Sequence, residues 1–341
     1  MSSQRHDSWS RREFLGTAAL AGTGALLGLR SELVGAEPPP ETTELRLGQS
    51  PAICIAPLYL AAEFLSSEGF TKVDYIKTGA QLMAKAVASG ALDFAMNFAA
   101  PLLIPVDAAE PIVMLGGGHV GCFELVGTDR VRAIRDLKGK TVAVAEMGGS
   151  DHVFLASMVA YVGLDPRKDV NWVVHPRADF IRLLADGKID AVLAIPPQPQ
   201  ELRARKIGHV VVNSMMDKPW SQYLCCVAFT NRQFVRKHPV ATKRALRAIL
   251  KAADLCVREP ERAALLLVEK GFTTSHDHAL QTMKEMQMAY GVWRDYDPED
   301  TIRFYALRLH EAGMIKSSPQ KIISQGTDWR FLKELKKELK T

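Results

Sequence analysis

Short apolar runs alternate with amphipathic segments along the chain from residue 44 onward. Apolar runs bounded by glycine, proline or polar residues predict strands, and longer segments with apolar positions at helical spacing predict helices. The predicted strands lie near residues 45–49, 73–76, 93–97, 112–116, 122–127, 141–145, 171–175, 190–195, 209–213 and 224–230. The predicted helices lie near residues 56–67, 80–89, 101–109, 151–162, 178–186, 198–206, 232–236, 239–257, 259–270, 275–290, 298–313 and 329–339. Such alternation predicts an α/β fold with largely parallel strand pairing.

One pattern of residues occurs twice in the chain. Residues 86–95 and residues 183–192 both consist of a helix end, a glycine, an apolar residue, an aspartate and a strand. Gly90 and Gly187 stand where a left-handed residue ends a helix, a conformation that glycine adopts most easily. The duplication predicts two similar lobes, although one doubly wound sheet with repeated βα units would also contain it.

The duplication also predicts where the chain passes between the lobes. Residues 121–132 would cross from the first lobe to the second and residues 223–231 would cross back, which makes a hinge with a cleft between the lobes. The predicted division is a leader at 1–36, a linker at 37–43, the first part of lobe 1 at 44–127, lobe 2 at 128–224, the helix-rich return of lobe 1 at 225–316 and a C-terminal helical tail at 317–341.

The N-terminal segment has the layout of an export signal. Arg11 and Arg12 precede a Phe-Leu pair, a weakly apolar glycine-rich stretch follows, and residues 34–36 form a small-residue cleavage site. The segment resembles a twin-arginine leader, and its apolar stretch is too short to cross about 30 Å of hydrocarbon. We therefore expect export to the periplasm by the twin-arginine route. The alternative is a disordered tail with a chance Arg-Arg pair.

Composition places the chain among globular proteins. Its 341 residues are 47% hydrophobic and 24% charged, which supports two lobes that each have a core. The net charge of +5 arises from 43 basic and 38 acidic residues, too diffusely spread for a nucleic-acid-binding face. Five cysteines lack the even number of a disulfide framework and show no metal-ligand spacing, so we expect mostly buried thiols and no metal or cofactor. Cys225 and Cys226 should point to opposite faces of a strand.

Three loops that lead from a predicted strand into a helix are candidates for a binding site. In open α/β sheets, ligands bind beyond the carboxyl ends of the strands, where helix N-termini offer unpaired N–H groups and partial positive charge. The loops are residues 49–54, 97–100 and 146–152. A cap or turn without a ligand is the alternative for any single loop. Their joint placement on both lobes favours binding.

Further candidates lie beside the predicted crossings and in lobe 2. His119 would exchange a hydrogen bond with a ligand, and Phe123 would line an apolar wall or stack on a ring, unless it belongs to the core. Arg177 ends a strand and would clamp a carboxylate, sulfonate or phosphate, unless it is a solvated arginine at a helix start. Tyr223 and Trp220 precede the return crossing and are candidates for the cleft wall.

Motifs of common enzyme classes are missing from the chain. The sequence has no GxSxG elbow, no GxxxxGK[ST] loop, no HExxH pair and no GxGxxG loop between a strand and a helix. Residues 116–118 are three glycines, but a strand rather than a helix follows them, so they do not form a phosphate cradle. We therefore expect a protein without catalytic residues.

Taken in order, several segments resemble the nitrate/sulfonate/taurine-type substrate-binding proteins of ABC transporters. They are the leader, LRLGQSP…APLYLAAEF, ASGALDFAMNF, DLKGKTVAVAEMGGS and LLADGKIDAVLA, and the resemblance covers most of residues 44–315. It implies a type II periplasmic-binding-protein fold, in which two lobes, each a mixed sheet flanked by helices, are joined by two hinge crossings. It would put Ser50, Pro51, Asn97, Phe98, Gly149, Ser150 and Arg177 near the cleft. Residues 196–198 depart from the family pattern, which leaves the ligand open.

The resemblance implies a periplasmic component of an ABC importer that captures a small polar or anionic organic solute, of the sulfonate, nitrate or pyrimidine-like class. Closure of the hinge around the solute would be the signal that the permease recognises. Two alternatives stay open, a thiamine-pyrimidine synthase-like enzyme of the same superfamily and a periplasmic sensor subunit. The cysteine-rich iron motif of those enzymes is missing here. The expected partners are a small-molecule ligand and the permease, without nucleic acid, and we expect a monomer.

Overall fold

Ten strands form two separate five-stranded sheets in the computed structural model, which describes residues 37–340. The strands are β1 (Glu44–Gln49), β2 (Lys72–Lys77), β3 (Phe94–Phe98), β4 (Ile112–Val120), β5 (Glu124–Gly127), β6 (Thr141–Val144), β7 (Asn171–Val174), β8 (Ala191–Ala194), β9 (His209–Asn213) and β10 (Leu224–Asn231). The order of the first sheet is β2-β1-β3-β10-β4, and that of the second is β7-β6-β8-β5-β9. Every strand predicted from the apolar runs is present.

Helices cover both sheets and make up most of the chain after β10. They are α1 (Ala56–Leu60), α2 (Ala62–Leu65), α3 (Ala80–Ala88), α4 (Ala99–Asp107), α5 (Ser150–Tyr161), α6 (Phe180–Ala185), α7 (Gln198–Ala204), α8 (Arg232–Lys237), α9 (Pro239–Arg258), α10 (Pro260–Glu269), α11 (His276–Glu285), α12 (Gln287–Gly291), α13 (Pro298–Glu311), α14 (Pro319–Gly326) and α15 (Arg330–Glu338). Helix α14 was not predicted, because its short segment carries few apolar residues. Among the described residues, none of the helices combines the length and apolar character needed to span a membrane.

The two sheets share one topology. Strand β1 pairs in parallel with β2 and β3, and β6 pairs in parallel with β7 and β8. The fourth strand of each sheet is antiparallel to both neighbours and lies next to a crossing: β10 in the first sheet and β5 in the second. Gly90 and Gly187 end the helices before β3 and β8 with φ of +77° and +65°. The duplicated units therefore lie in two sheets, which confirms the two-lobed α/β fold.

The repeated aspartate holds the neighbouring parallel strand of its own sheet. The Asp93 carboxylate accepts a hydrogen bond from the backbone N–H of Arg46 in β1 at 2.8 Å and also pairs with the Arg46 guanidinium at 2.7 Å. The Asp190 carboxylate accepts from the backbone N–H of Thr141 in β6 at 2.8 Å. Because each side chain is occupied within its own sheet, the repeat is a structural signature of the lobe and not part of a ligand site.

The chain passes between the sheets twice. The first crossing is the short segment between β4 and β5, and the second lies between β9 and β10. The predicted division assigned residues up to 127 to lobe 1, but β5 pairs with β8 and β9 in the second sheet, so the strands of lobe 1 end at β4 before the chain crosses. Gly121 has φ of +60°, and a Cβ there would lie 2.5 Å from the Cα of Met215. Glycine at this position lets the two crossings pass in contact.

Apolar packing continues across the junction of the lobes. Helix α5 of lobe 2 contacts α4 and α13, which belong to lobe 1. The C-terminal helix α15 packs on α9, with Leu332 and Leu335 buried. The helices after β10 therefore complete the core of the first lobe, while α5 ties the second lobe to it.

Candidate functional site

A cavity of about 540 Å³ lies between the two sheets, a size typical of a small-molecule site. It faces the loops that follow β1, β3, β6, β7 and β8, together with the first crossing and the start of β10. Its walls consist of Ser50, Pro51, Ala52, Cys54, Ile55, Met96, Asn97, Phe98, Cys122, Phe123, Ala145, Glu146, Gly149, Ser150, Asp151, Arg177, Ala178, Ile195, Pro196, Pro197, Gln198 and Cys226. The cavity is therefore where the topology of two open α/β sheets predicts a ligand.

The N-terminus of α5 forms part of the wall from lobe 2. Gly148 has φ of +81°, and its N–H donates to Nδ1 of His152 at 3.0 Å, which fixes the turn before the helix. The N-cap is Gly149, which has no side chain, and the Asp151 carboxylate accepts from the N–H of His152 in the first turn at 3.0 Å. The N–H groups of Ser150 and Asp151 lie beside the cavity without a side-chain cap, at the partially positive end of a twelve-residue helix.

A buried ion pair positions Arg177 at the same wall. Asp151 is 1% exposed, and its Oδ2 accepts from Nη2 of Arg177 at 3.0 Å and from the N–H of Ala145 at 2.9 Å. The Gln198 side chain donates to the Arg177 carbonyl at 2.7 Å. Nη1 of Arg177 is buried and donates no hydrogen bond within residues 37–340. The guanidinium is thus held by Asp151 through one nitrogen and keeps a second donor for another acceptor.

Glu146 adds a carboxylate that is protonated more easily than that of an ordinary glutamate. Burial raises the pKa of Glu146, and the nearby negative charge of Asp151 raises it further. Asp151 neutralises much of the positive charge of Arg177. The positive potential of the lobe 2 wall therefore depends on the N-terminus of α5 and on the position of the guanidinium.

Aromatic rings form the apolar floor where the lobes meet. The ring centroids of Phe98 and Phe123 are 5.2 Å apart, and the Phe154 ring lies 4.7 Å from the first and 5.1 Å from the second. Phe98 belongs to lobe 1, Phe123 to the first crossing and Phe154 to α5 of lobe 2. Contacts between aromatic rings stabilise a fold beyond the effect of burying their surface, so these rings hold the lobes together. They also give the cavity its apolar face.

Two sets of polar contacts also join the lobes. The Ser150 hydroxyl lies 3.4 Å from Oδ1 of Asn97 on the opposite wall. Farther from the cavity centre, Arg203 of α7 pairs with Glu285 of α11 at 2.8 Å and also contacts Glu124. Burial raises the pKa of Glu124, although Arg203 acts in the opposite direction. These contacts link the lobes in the arrangement that the structure shows.

Four thiols and an imidazole meet behind the floor of the cavity. We call Cys54, His119, Cys122, Cys225 and Cys226 the thiol cluster. The Sγ atoms of Cys122 and Cys225 are 3.4 Å apart, and those of Cys225 and Cys226 are 3.9 Å apart. All five cysteines of the chain are free and buried, which confirms the expectation of buried thiols. Hydrogen bonds from Cys122, Cys225 and Cys54 hold the pKa of the Cys226 thiol well below its usual range, so the cluster favours one thiolate.

Strand alternation alone does not give this geometry. Cys225 and Cys226 were predicted on opposite faces of the strand, but the pairing of β10 with β4 shifts register on both sides of Cys226. The irregularity brings both sulfur atoms to the same cluster. Cys122 has φ of +114° at the first crossing, a conformation rarely adopted by a residue with a side chain.

The structure brings most of the predicted site residues to the cavity and leaves three elsewhere. The predicted residues on its walls are Ser50, Pro51, Asn97, Phe98, Phe123, Gly149, Ser150 and Arg177. His119 is fully buried, lies edge-on to Tyr290 with ring centroids 5.6 Å apart and belongs to the thiol cluster, not to the wall. Tyr223 stacks on Phe304 at 3.9 Å, and Trp220 packs against Phe154 outside the cavity lining. These residues lie next to a crossing in the sequence, but that position did not predict which way their side chains point.

Comparison with known proteins places the chain in a family. The model of the NMT1-like family matches residues 38–268, which is more than half of the chain. The chain belongs to the NMT1-like family. This NMT1-like chain is 22% identical, over 286 residues, to the nitrate import ATP-binding protein NrtC of Synechocystis sp.. The match covers 73% of this chain and 42% of that relative, so the chain spans less than half of the relative's length.

Solved structures show the same fold at low sequence identity. The periplasmic nitrate-binding protein NrtA of Synechocystis PCC 6803 superposes with a TM-score of 0.72 at 18% identity, covering 89% of this chain and 90% of that protein. The alkanesulfonate-binding protein SsuA of Xanthomonas axonopodis pv. citri gives 0.67 at 17% identity, covering 85% and 99%. The predicted resemblance to nitrate/sulfonate-type proteins and the predicted type II fold are confirmed for this NMT1-like chain.

Some wall residues of the NMT1-like chain had no individual signal in the sequence. Asp151 was expected only as part of a loop, and its role as the partner of Arg177 depends on folding. The cysteines did carry a signal that could have been used. Cys122 lies on the first predicted crossing, and Cys225 and Cys226 lie on the second. The two crossings of a two-lobed protein lie side by side, so cysteines on both crossings are expected to be close in space.

Proposed function

We propose that this NMT1-like protein is the solute-binding component of an ABC importer, and that it captures a small anionic organic solute in the cavity between its lobes. The observation that carries the proposal is Arg177, whose Nη1 is buried without an acceptor among the described residues while Asp151 holds Nη2. A buried donor without an acceptor is costly, and an anionic oxygen would satisfy it. The first two amides of α5, those of Ser150 and Asp151, add donors beside the same wall.

The shape and lining of the cavity support a solute that also has an apolar part. Phe98, Phe123, Met96, Ile55 and Ile195 line it together with three prolines. A small inorganic anion would leave much of the 540 Å³ unfilled, whereas a sulfonate or carboxylate with an organic body would contact both sides. We therefore favour an organic anion over nitrate itself.

The names of the similar proteins agree with this solute chemistry. NrtA is a nitrate-binding protein, and SsuA binds alkanesulfonates. Both solutes carry oxyanion groups. Proteins commonly bind an oxyanion with an arginine and a helix N-terminus, and here Arg177 lies at the same wall as the N-terminus of α5. Binding from both walls would favour the closed lobe arrangement, and the closed form would be recognised by a permease. We propose that the protein binds its solute without transforming it and acts as a monomer.

Export is a separate part of the proposal. The leader with Arg11 and Arg12 lies outside the described residues, and we propose that it directs the chain to the periplasm by the twin-arginine route. Replacing both arginines by lysine should retain the protein in the cytoplasm with its leader attached. Cell fractionation and the mass of the N-terminal peptide check this, since processing after Ala36 would leave Glu37 as the first residue. Unchanged export of the double-lysine variant would contradict the route.

A thermal-shift screen followed by calorimetry tests the function. Sulfonates, aromatic carboxylates, nitrate and pyrimidine-like compounds are screened, because a solute that binds only the native state raises its melting temperature. The Kd of each hit is then measured by titration calorimetry. Chromatography of the solute after incubation shows whether it has been altered. A chemically changed solute would favour an enzyme over a binding component.

Variants of two arginines distinguish the loss of a contact in the binding site from the loss of a surface charge. Arg177→Gln should weaken binding of the anionic hit by about tenfold to a hundredfold, since a hydrogen bond to a charged group contributes about 1.5–3 kcal/mol. The control is Arg182→Gln, which removes an exposed arginine of α6 that pairs with Asp179. An unchanged Kd for the Arg177 variant, or a hit that carries no negative charge, would contradict the proposed role of Arg177.

A further inference from the structure

The thiol cluster forms two groups that have the dimensions of a metal site. The ligand atoms of Cys54, His119 and Cys122 lie within 4.8 Å of one another, and so do those of His119, Cys225 and Cys226. A tetrahedral ion with Zn–S bonds of about 2.3 Å and Zn–N bonds of about 2.0 Å has ligand atoms separated by distances of this order. His119 belongs to both groups, so one ion can draw ligands from each.

Cys225 is central to the cluster. Its Sγ atom lies 3.4 Å from that of Cys122 and 3.9 Å from that of Cys226. Cys225 and Cys226 form one of the two groups with His119, and Cys122 belongs to the other. An ion held by His119, Cys225 and Cys226 would therefore have Cys122 beside it to complete the coordination.

The imidazole has the arrangement found in metal-binding histidines. Nδ1 of His119 lies 3.2 Å from the carbonyl oxygen of Val120. With its proton on Nδ1, the ring donates to this carbonyl and carries a lone pair on Nε2. Nε2 is fully buried and has no hydrogen-bond partner within residues 37–340. A metal-ligating histidine usually donates from one ring nitrogen to a backbone carbonyl and keeps a free lone pair on the other.

We propose that the thiol cluster binds one thiophilic d¹⁰ cation, Cu(I) or Zn(II), through His119, Cys225 and Cys226, with Cys122 completing the coordination. Thiolate sulfur and imidazole nitrogen select these ions over the hard cations Mg²⁺ and Ca²⁺, which need oxygen ligands. Cys54, Cys122 and Cys226 also line the cavity, so the ion has an entry path from the cleft. A bound ion would join the first crossing to β10, because Cys122 lies on that crossing and Cys226 lies at the start of β10.

Metal titration of the unmodified full chain is the direct test. The protein is reduced, stripped with a chelator and kept free of oxygen. It is titrated with Co(II) as a spectroscopic substitute for Zn(II), and separately with Cu(I) against a competing Cu(I) chelator. We expect one equivalent of ion, with thiolate-to-cobalt charge-transfer absorption in the Co(II) arm. X-ray absorption at the Zn or Cu edge then counts the sulfur and imidazole ligands without any substitution. No binding in either arm, or ligation by oxygen alone, would overturn the proposal.

Cysteine variants locate the ion. Cys122→Ser and Cys226→Ser should each weaken ion binding by at least about tenfold, since a loss of that size is seen even when only a group that hydrogen-bonds to a metal ligand is changed. The matched control is Cys256→Ser, because Cys256 is an equally buried cysteine in α9 that belongs to neither group of ligands. Circular dichroism confirms that the variants fold. Equal affinities for the cluster variants and the Cys256 variant would place the ion elsewhere and overturn the assignment. The test uses no solute, so its outcome is independent of the proposed transport function.

Discussion

The lobe 2 wall of the cavity presents mainly charged and hydrogen-bonding groups, whereas lobe 1 and the crossings present mainly rings and thiols. On the first side, Arg177, Asp151 and the α5 terminus are held by hydrogen bonds of defined length. On the second side, Phe98 and Phe123 are held by packing. The difference indicates a division of roles, in which lobe 2 selects the charge of a solute while lobe 1 sets the shape of the site and the stability of the lobe junction.

Truncation of the apolar side should have the largest effect on stability. Phe98→Ala removes a 2% exposed ring that contacts Phe123, Phe154 and Tyr305. We expect the free energy of unfolding to fall by about 3–5 kcal/mol, as found for large-to-small changes of buried aromatic residues. Urea denaturation followed by circular dichroism measures it.

An exposed truncation provides the control for Phe98. Leu82 in α3 is 61% exposed, and Leu82→Ala should change the free energy of unfolding by less than about 0.5 kcal/mol. If both variants unfolded at similar urea concentrations, the aromatic floor would not be what holds the lobes together. The apolar side of the cavity would then not determine the stability of the lobe junction.

The link between α7 and α11 should have a smaller effect, on binding more than on stability. Glu285→Gln weakens its contacts with Arg203 and with Gln200, which lies 2.7 Å from the Glu285 carboxylate. Because the link joins the lobes in the arrangement shown, its loss should favour opening and raise the Kd of the solute by about fivefold or less, given that partly exposed ion pairs contribute about 0.2–1 kcal/mol. Titration calorimetry and the radius of gyration from small-angle scattering check it.

Glu261→Gln is the matched control for this link. Glu261 pairs with Lys284 at 3.1 Å between α10 and α11, both in lobe 1, so its loss should leave closure unchanged. Equal changes in Kd for the two variants would show that net charge, and not the connection between the lobes, determines the effect.

The pH dependence of stability should show the smallest of the three effects, on the lobe 2 side. Burial lowers the pKa of His152 below its ordinary value of 6.5, although Asp151 acts in the opposite direction. The unfolded chain therefore binds a proton at His152 before the folded chain does, and the free energy of unfolding falls as the pH drops below 6.5. Protonation would also remove the Nδ1 lone pair that accepts the N–H of Gly148.

Unfolding in urea at pH values above and below 6.5 tests this effect of His152. His152→Asn should flatten the dependence, because asparagine accepts a hydrogen bond but does not titrate. His276→Asn, at a partly exposed position of α11, is the control and should keep the slope of the original chain. A slope that His152→Asn left unchanged would assign the effect to other groups.

Much of the architecture could be predicted from local patterns. The strands followed from apolar runs, and Gly90 and Gly187 marked equivalent helix ends in both lobes. Helix α14 was the exception, because its eight residues bury little apolar surface and so leave a weak pattern. The lobe boundary at β5 was also misplaced, since a strand is recognised by its own residues while its sheet is chosen by its partners.

The type of each element, the duplication and the loops that reach the cavity could be predicted from the sequence, because burial periodicity and turn chemistry are properties of neighbouring residues. Which side chains meet depends on contacts between segments that are distant in the chain. Asp151 pairs with Arg177 across 26 positions of the chain, and Cys122 meets Cys225 across 103. His119 and Tyr223 lie near the crossings in sequence yet point away from the cavity, because side-chain direction depends on local register and on packing partners from distant segments.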